Sequence, residues 1–305
     1  MVNETISNYF IENHSAPFQK NELNQLPKVL VVLTRLYFGT IGRLIPKLSA
    51  KLAMRIFSAP GPKAVHKRSD ALLDSAQRSF IQVNGQQIRV YTWGDGPRKT
   101  LLLHGWQSRG TALRGFVPGL LDQGRQVIAF DAPAHGESSG GECSVRLYAE
   151  VIDVIEKKYP GIDTVIAHSI GNAAWIYYNS MLNPKKQIKQ MVGIAAPESF
   201  KNILYNAIAL MGLKGKVKAL FKQECFNHFK VESIEELELS QLIPSFEIDQ
   251  VDFFHDEDDN LVSLDRAIQV QNAFSSSSLW VTKGFGHFRL VKHPKLVQKV
   301  VSLCN

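Results

Sequence analysis

The sequence predicts an α/β fold built on a mostly parallel sheet, with an antiparallel hairpin at its start and helices on both faces. Three observations carry this. From about Phe80 onward, short β-branched runs alternate with helical patterns, the mark of βαβ units. Two strand-like runs, Ser79 to Val83 and Gln87 to Trp93, flank Asn84-Gly85, a two-residue hairpin signal. A serine turn, Ala167-His168-Ser169-Ile170-Gly171, follows one strand directly and opens a helix.

Taken in order, the hairpin is followed by a buried strand at Thr100 to Leu103 and a helix from about Thr111 to Gln123. Val127 to Phe130 is the next strand. A helix from Cys143 to Tyr159 is stopped by Pro160-Gly161. Thr164 to Ala167 runs into the serine turn, and the helix behind it reaches about Leu182. Met191 to Ala195 is a strand. Residues 198–247 then break the alternation with helical, Leu-, Phe- and Lys-rich sequence, which reads as a small lid inserted on the sheet. Strand Val251 to Phe254, a helix near Leu264 to Phe274, strand Leu279 to Val281 and a C-terminal helix complete the chain.

The 305 residues carry 45% apolar and 21% charged side chains, a globular composition with too much apolar content for disorder. The net charge of +7 sits in one place. Residues 20–68 hold ten Lys or Arg against the single acid Glu22, whereas residues 69–305 hold 25 of each sign. An electroneutral body argues against a nucleic-acid channel and sets residues 1–78 apart as a basic helical segment preceding a domain at 79–305. Within it, Lys47, Lys51 and Arg55 form one i,i+4 stripe beside Leu48, Leu52 and Ile56. Like charges at that spacing oppose an isolated helix, so the apolar stripe must dock on something: the main domain, or an anionic membrane surface or acidic partner. The first 28 residues show no apolar core of a secretory signal. The window Val29 to Ile45 is interrupted by Arg35 and Arg43 and falls short of the ~20 apolar residues that span a bilayer. Cys143, Cys225 and Cys304 have neither metal-ligand nor disulfide-framework spacing, which points to reduced thiols and a cytoplasmic location, with the inner membrane surface as the alternative.

The chemistry centres on Ser169. A strand-to-helix turn lifts its hydroxyl above the carboxyl edge of a parallel sheet, with a helix N-terminus behind it. Serine needs a base, and His287 in Gly284-Phe285-Gly286-His287, between the last strand and the final helix, opens on the same edge. An orienting acid should come from His255-Asp256-Glu257-Asp258-Asp259-Asn260, where three aspartates are available and the rest are bystanders of a solvated turn. A calcium loop there fails: Leu261 replaces the turn glycine and position 12 lacks an acid, so no metal is expected. Donors for an oxyanion would be the backbone N–H groups of Ile170 and of Trp106 in His104-Gly105-Trp106. Neither a phosphate loop nor a dinucleotide fingerprint is present, so no cofactor is expected.

With these residues in hand, the chain resembles the α/β-hydrolase family, in its small bacterial, esterase-like serine-hydrolase form. The resemblance rests on His104-Gly105-Trp106, Asp131 to Ser138, the Ser169 turn, Asp256 to Val262 and Gly286-His287, in the family's order across about three quarters of the chain. It implies an α/β-hydrolase fold and the order nucleophile, acid, base on Ser169, Asp259 and His287. Asp259 is favoured because the family places its acid three residues before a valine, here Val262, whereas Asp256 stands where glycine is usual. It also implies a structural role for His135. Ala167 departs from the glycine expected at the start of the turn.

The expected activity is hydrolysis of a small-molecule carboxylic ester or thioester, with Ile203, Leu204, Ile208, Leu210, Met211, Leu213, Leu220 and Phe221 of the lid forming an apolar acyl pocket. Two other readings stand beside it. One is a membrane-surface lipase or lysophospholipase docking through Lys47, Lys51 and Arg55; the other is a non-catalytic binding protein on the same fold.

Overall fold

The computed structural model describes residues 10–12, 28–61, 63, 70–183, 188–197, 199–238, 242–243 and 248–304. Eight strands build the sheet: β2 (Gln77–Val83), β3 (Gln86–Trp93), β4 (Arg98–Leu103), β5 (Arg125–Phe130), β6 (Ile162–His168), β7 (Ile188–Ile194), β8 (Ile248–Asp256) and β9 (Ser277–Lys283). The two-residue β1 (Ile11–Glu12) adds a parallel edge beside β9, giving the order β1-β9-β8-β7-β6-β4-β5-β3-β2. Residues that the sequence reading left outside the hydrolase domain thus close one edge of its sheet. Among the described strands only β2 with β3 and β3 with β5 pair antiparallel, and Asn84-Gly85 makes the hairpin turn with both residues at positive φ.

The chain leaves β4 to place β5 on one side and returns to place β6 on the other. A crevice therefore opens at the carboxyl ends of β4 and β6, where such sheets bind their ligands. Leu103 pairs with Ala167 there, immediately before His104 and Ser169.

Strand alternation divides the core. Leu101, Leu103, Ile128, Phe130, Val165 and Ala167 face one side, under the helices Val145–Lys158 and Ile170–Tyr177. Leu102, Val127, Ala129 and Ile166 face the other, under Leu113, Phe116, Leu296 and Val300. Burial on both faces explains why these strands read as continuous apolar runs. Each buried Leu or Val contributes about 1.5–3 kcal/mol.

Local signals set the helix ends. The Ser144 hydroxyl accepts from Leu147 N at 3.1 Å, and Lys157 and Lys158 occupy the last turn before Pro160-Gly161. The helix expected over Thr111 to Gln123 is instead a 3₁₀ stretch, Gly110–Phe116, followed by a short α-helix, Val117–Asp122. Pro118 has no N–H to give to the carbonyl four residues back, so α-helical bonding cannot run continuously through it.

The segment expected to form a lid comprises helices Phe200–Met211 and Gly215–Phe229, joined through Gly212 in the left-handed region at φ 68°. Against them lie the helices Lys28–Gly39 and Pro46–Ser58. The Phe57 and Phe221 rings meet edge to face at 5.8 Å, and Cys225 Sγ lies 3.7 Å from Met54 Sδ. The lid side chains Leu204, Ile208, Met211, Leu213 and Phe221 are buried in this packing with Phe38, Ala50 and Ala53, while Leu210 is exposed. They are spent on holding the lid and the N-terminal helices together. All three cysteines are free and buried.

Candidate active site

Ser169 sits between β6 and the helix Ile170–Tyr177 at φ 52°, ψ −124°. A non-glycine residue in that region is strained, and here the strain turns the hydroxyl out of the sheet. The turn is clasped from behind. Ser169 N donates to Ile194 O at 2.9 Å, and Asn172 Nδ2 donates to Ser169 O and Ile194 O at 3.1 and 3.2 Å. Gly171 is required by close approach, since a Cβ there would lie 2.7 Å from Leu103 O. Ala167, at the position where glycine was expected, is fully buried and pairs with Gly193 on β7. A Cβ on Gly193 would meet the Phe253 ring at 2.7 Å.

His287 Nε2 accepts from Ser169 Oγ at 2.8 Å, and His287 Nδ1 donates to Asp259 Oδ2 at 2.7 Å. The second Asp259 oxygen accepts from Leu261 N and Val262 N at 2.8 and 3.0 Å. Burial alone pushes the Asp259 carboxyl up. The hydrogen bond and charge of His287, the Val262 amide and His255 outweigh it, so the carboxyl titrates below its ordinary value. With an acceptor at Nδ1, the imidazole carries its proton there and leaves Nε2 free to receive one. The three residues the sequence singles out from three separate loops are thus within hydrogen-bonding distance in one line.

Asp256 is not a solvated bystander, which corrects the sequence reading for that residue, whereas Glu257 and Asp258 are exposed as a solvated turn requires. Asp256 is fully buried as the last residue of β8. Its oxygens accept from Thr282 Oγ1 at 2.7 Å, Gly286 N at 2.8 Å, and Phe285 N and Asp258 N at 3.1 Å each. Asp258 accepts from Gly284 N at 3.1 Å. Together they hold the backbone of residues 284–286 that aims His287. The sequence holds no local signal for this, because the burial of Asp256 follows from β7 and β9 lying on either side of β8.

Histidines brace the opposite wall. His104 Nε2 accepts from Ala132 N at 3.0 Å, so its proton is on Nδ1, which donates to Gly105 O at 2.7 Å. His135 Nε2 accepts from Gln107 N at 3.1 Å and its Nδ1 donates to Pro133 O at 2.8 Å. Burial pushes His104 down to about 4 and, with the nearby His104 charge, His135 down to about 3, so both are neutral braces. His168 Nε2 donates to His287 O at 2.9 Å, and burial with the His287 charge pushes it down to about 3. Asp131 accepts from Gly110 N, Glu137 N and Tyr91 Oη, tying the β5 turn to the loop after β4.

That loop crosses close to Ser169. A Cβ on Gly105 would lie 2.7 Å from His168 Nδ1 and 3.3 Å from Ser169 Cβ. The loop that carries Trp106 thus passes within contact distance of the Ser169 turn that carries Ile170. A cavity of about 670 Å³ adjoins Gly105 and His168, with Arg109, Leu113, Phe288 and Lys292 also in its wall. Among the described residues no group of three or more His, Cys, Asp or Glu side chains could hold a metal ion.

The fold defines an α/β-hydrolase. Residues 100–288 match the sequence model of the alpha/beta hydrolase family, well over half of the chain, and the chain belongs to that family. No curated protein matches it significantly. Similar solved structures include an esterase of Pyrococcus furiosus, with TM-score 0.58, 17% identity, and 80% of this chain against 96% of that one covered. A bromoperoxidase from Bacillus anthracis superposes with TM-score 0.56 and 17% identity over 74% of this chain and 99% of its own. The thioesterase domain from a curacin biosynthetic pathway gives 0.55 and 17%, over 75% and 98%. At these identities the likeness is one of fold.

Proposed function

We propose that this protein is a serine hydrolase that cleaves carboxylic esters or thioesters through an acyl-enzyme on Ser169. The observation that carries the reading is the line Asp259–His287–Ser169, with 2.7 and 2.8 Å links at the carboxyl edge of the sheet. Ser169 Oγ attacks the carbonyl carbon while its proton passes to His287 Nε2. Asp259 keeps the ring's tautomer and offsets the imidazolium charge. The Trp106 and Ile170 amides receive the oxyanion. Collapse expels the alkoxide or thiolate, which takes the proton from His287. Water, deprotonated by the same nitrogen, then attacks the acyl-enzyme and restores Ser169.

The leaving group must lie on the histidine side to be protonated. The family membership supports a hydrolase; the bond cleaved is the finer proposal.

The test is pre-steady-state hydrolysis of 4-nitrophenyl butyrate. A burst of nitrophenol stoichiometric with protein is expected, abolished in Ser169→Ala. Turnover of this ester and of its thioester analogue at the Ser169→Ala rate would refute the proposal and leave a binding protein on this fold.

A further inference from the structure

The surface of this protein is uneven in one region. Among the described residues, eleven of the sixteen large apolar side chains that are exposed lie between Val29 and Ile56. Leu44 is 81% exposed, Val29 68%, Leu48 62%, and Leu33 and Leu36 more than half. Proteins that stay monomeric in water rarely leave so many together, and such a patch marks an interaction surface.

The sequence required the stripe Leu48, Leu52 and Ile56 to dock somewhere, and the structure shows a different face of the same helix docking. Ala50 and Ala53 are buried, with Met54 and Phe57 packed beside them toward the Gly215–Phe229 helix. Small residues permit that close approach, and they leave the leucine stripe facing outward beside Lys47, Lys51 and Arg55. The Lys28–Gly39 helix repeats the arrangement, with Phe38 buried and Val29, Val32, Leu33 and Leu36 outward. Residues 28–58 contain six Lys or Arg and no acid.

We propose that residues 29–56 are a docking surface for an anionic phospholipid bilayer. The outward apolar side chains enter the boundary between headgroups and acyl chains, and the flanking cations meet lipid phosphates. The helices have 12 and 13 residues, so each is roughly 20 Å long, short of the ~30 Å hydrocarbon core, and lies in the interface without crossing. A second copy of the chain is the poorer occupant, because a symmetric contact would set the five cations of residues 29–56 against five more. Nucleic acid would leave the leucines unserved.

The surface is continuous with the lid. Arg35 Nε donates to Leu210 O at 3.0 Å and its Nη2 to Ala209 O at 3.3 Å, joining the first helix to the end of the Phe200–Met211 helix, where Leu210 is itself exposed. A docked protein would therefore present its lid to the membrane.

The experiment is flotation of the full chain with unilamellar vesicles of phosphatidylcholine, with and without phosphatidylglycerol. At low salt the wild type should float with the anionic vesicles and stay behind with pure phosphatidylcholine. The triple variant Lys47→Glu, Lys51→Glu, Arg55→Glu should bind at least about 100-fold more weakly, at about fivefold per cation removed. Leu33→Gln with Leu36→Gln should also abolish flotation, and both variants should keep the wild-type melting midpoint because every altered side chain is exposed. Absence of flotation at low salt, equal binding to pure phosphatidylcholine, or undiminished binding by the triple variant would overturn the proposal. So would a wild-type dimer in sedimentation velocity that the leucine variant dissociates.

Discussion

The two edges of the central sheet are built to opposite specifications. At the carboxyl edge, Gln107, Ala134, Ser169 and Ala195 follow β4, β5, β6 and β7 in turn, with φ of 56°, 62°, 52° and 49°. Four adjacent strands thus end in left-handed non-glycine residues, each costing about 1–2 kcal/mol. At the amino edge the chain enters β5 and β6 beside glycines, Gly124 and Gly161, which adopt positive φ freely. There the buried Arg125 donates to Thr100 Oγ1 at 2.8 Å, to Asp163 Oδ1 at 2.6 Å, and to Thr164 Oγ1. One edge stores strain around Ser169; the other binds strand ends together. Activity and stability should separate along the same line.

The largest effect should come from Asp259→Asn. Loss of the carboxylate frees the imidazole to take the wrong tautomer, so kcat should fall about 10⁴-fold while the melting midpoint moves little. Three residues away, Asp256→Asn should behave differently. Its amide offers one acceptor to four donors, so unfolding free energy should fall by about 2–3 kcal/mol and kcat by about tenfold to a hundredfold as residues 284–286 loosen. Urea unfolding alongside ester turnover separates the two aspartates; equal losses of activity would reopen which one partners His287.

At the other edge, Arg125→Met should cost about 1–3 kcal/mol by removing the donor to Thr100, Thr164 and Asp163, the last of which keeps Arg98 at 3.6 Å, with kcat per folded molecule unchanged. A tenfold drop in kcat would show that the edges are mechanically coupled. Gly105→Ala should reverse the pattern, lowering kcat by about tenfold to a hundredfold with a small change in melting, because the new methyl displaces His168 and the loop over Ser169.

Acid should act through the buried histidines. His104, His135 and His168 titrate at about 4, 3 and 3 in the folded state, below the ordinary 6.5, with burial the main cause. The unfolded chain binds protons on them first, so stability is retained above pH 6.5 and lost as pH falls through 6.5 toward 4. At pH 5 the loss should be about 2 kcal/mol for each histidine. Urea midpoints that stay level between pH 7 and 5 would show that these side chains ionise in the folded protein. His104→Asn should flatten part of the slope.

Much of this contrast is legible in the sequence because it follows from short-range rules. Asn84-Gly85 sets the hairpin, Pro160-Gly161 ends a helix, and a serine between a strand and a helix marks the carboxyl edge. Residue patterns left three aspartates open, the family resemblance favoured Asp259, and the fold brings that one to His287. Other features depend on distant neighbours. Asp256 reads as part of a solvated acidic turn until β7 and β9 are seen on either side of β8. Ala50 and Ala53 carry little weight in a hydrophobic pattern, yet their small size decides which face of their helix packs. The lid leucines read as a pocket lining, although packing with the N-terminal helices consumes them.

The central claim is that Ser169 is an activated nucleophile. Mass spectrometry of the digested protein after treatment with a fluorophosphonate tests it most directly. One phosphonylated site is expected, on the peptide containing Ser169, and its labelling should slow by about 10⁴-fold in Asp259→Asn. An unlabelled Ser169 peptide, or a label carried by another serine at the wild-type rate, would contradict it.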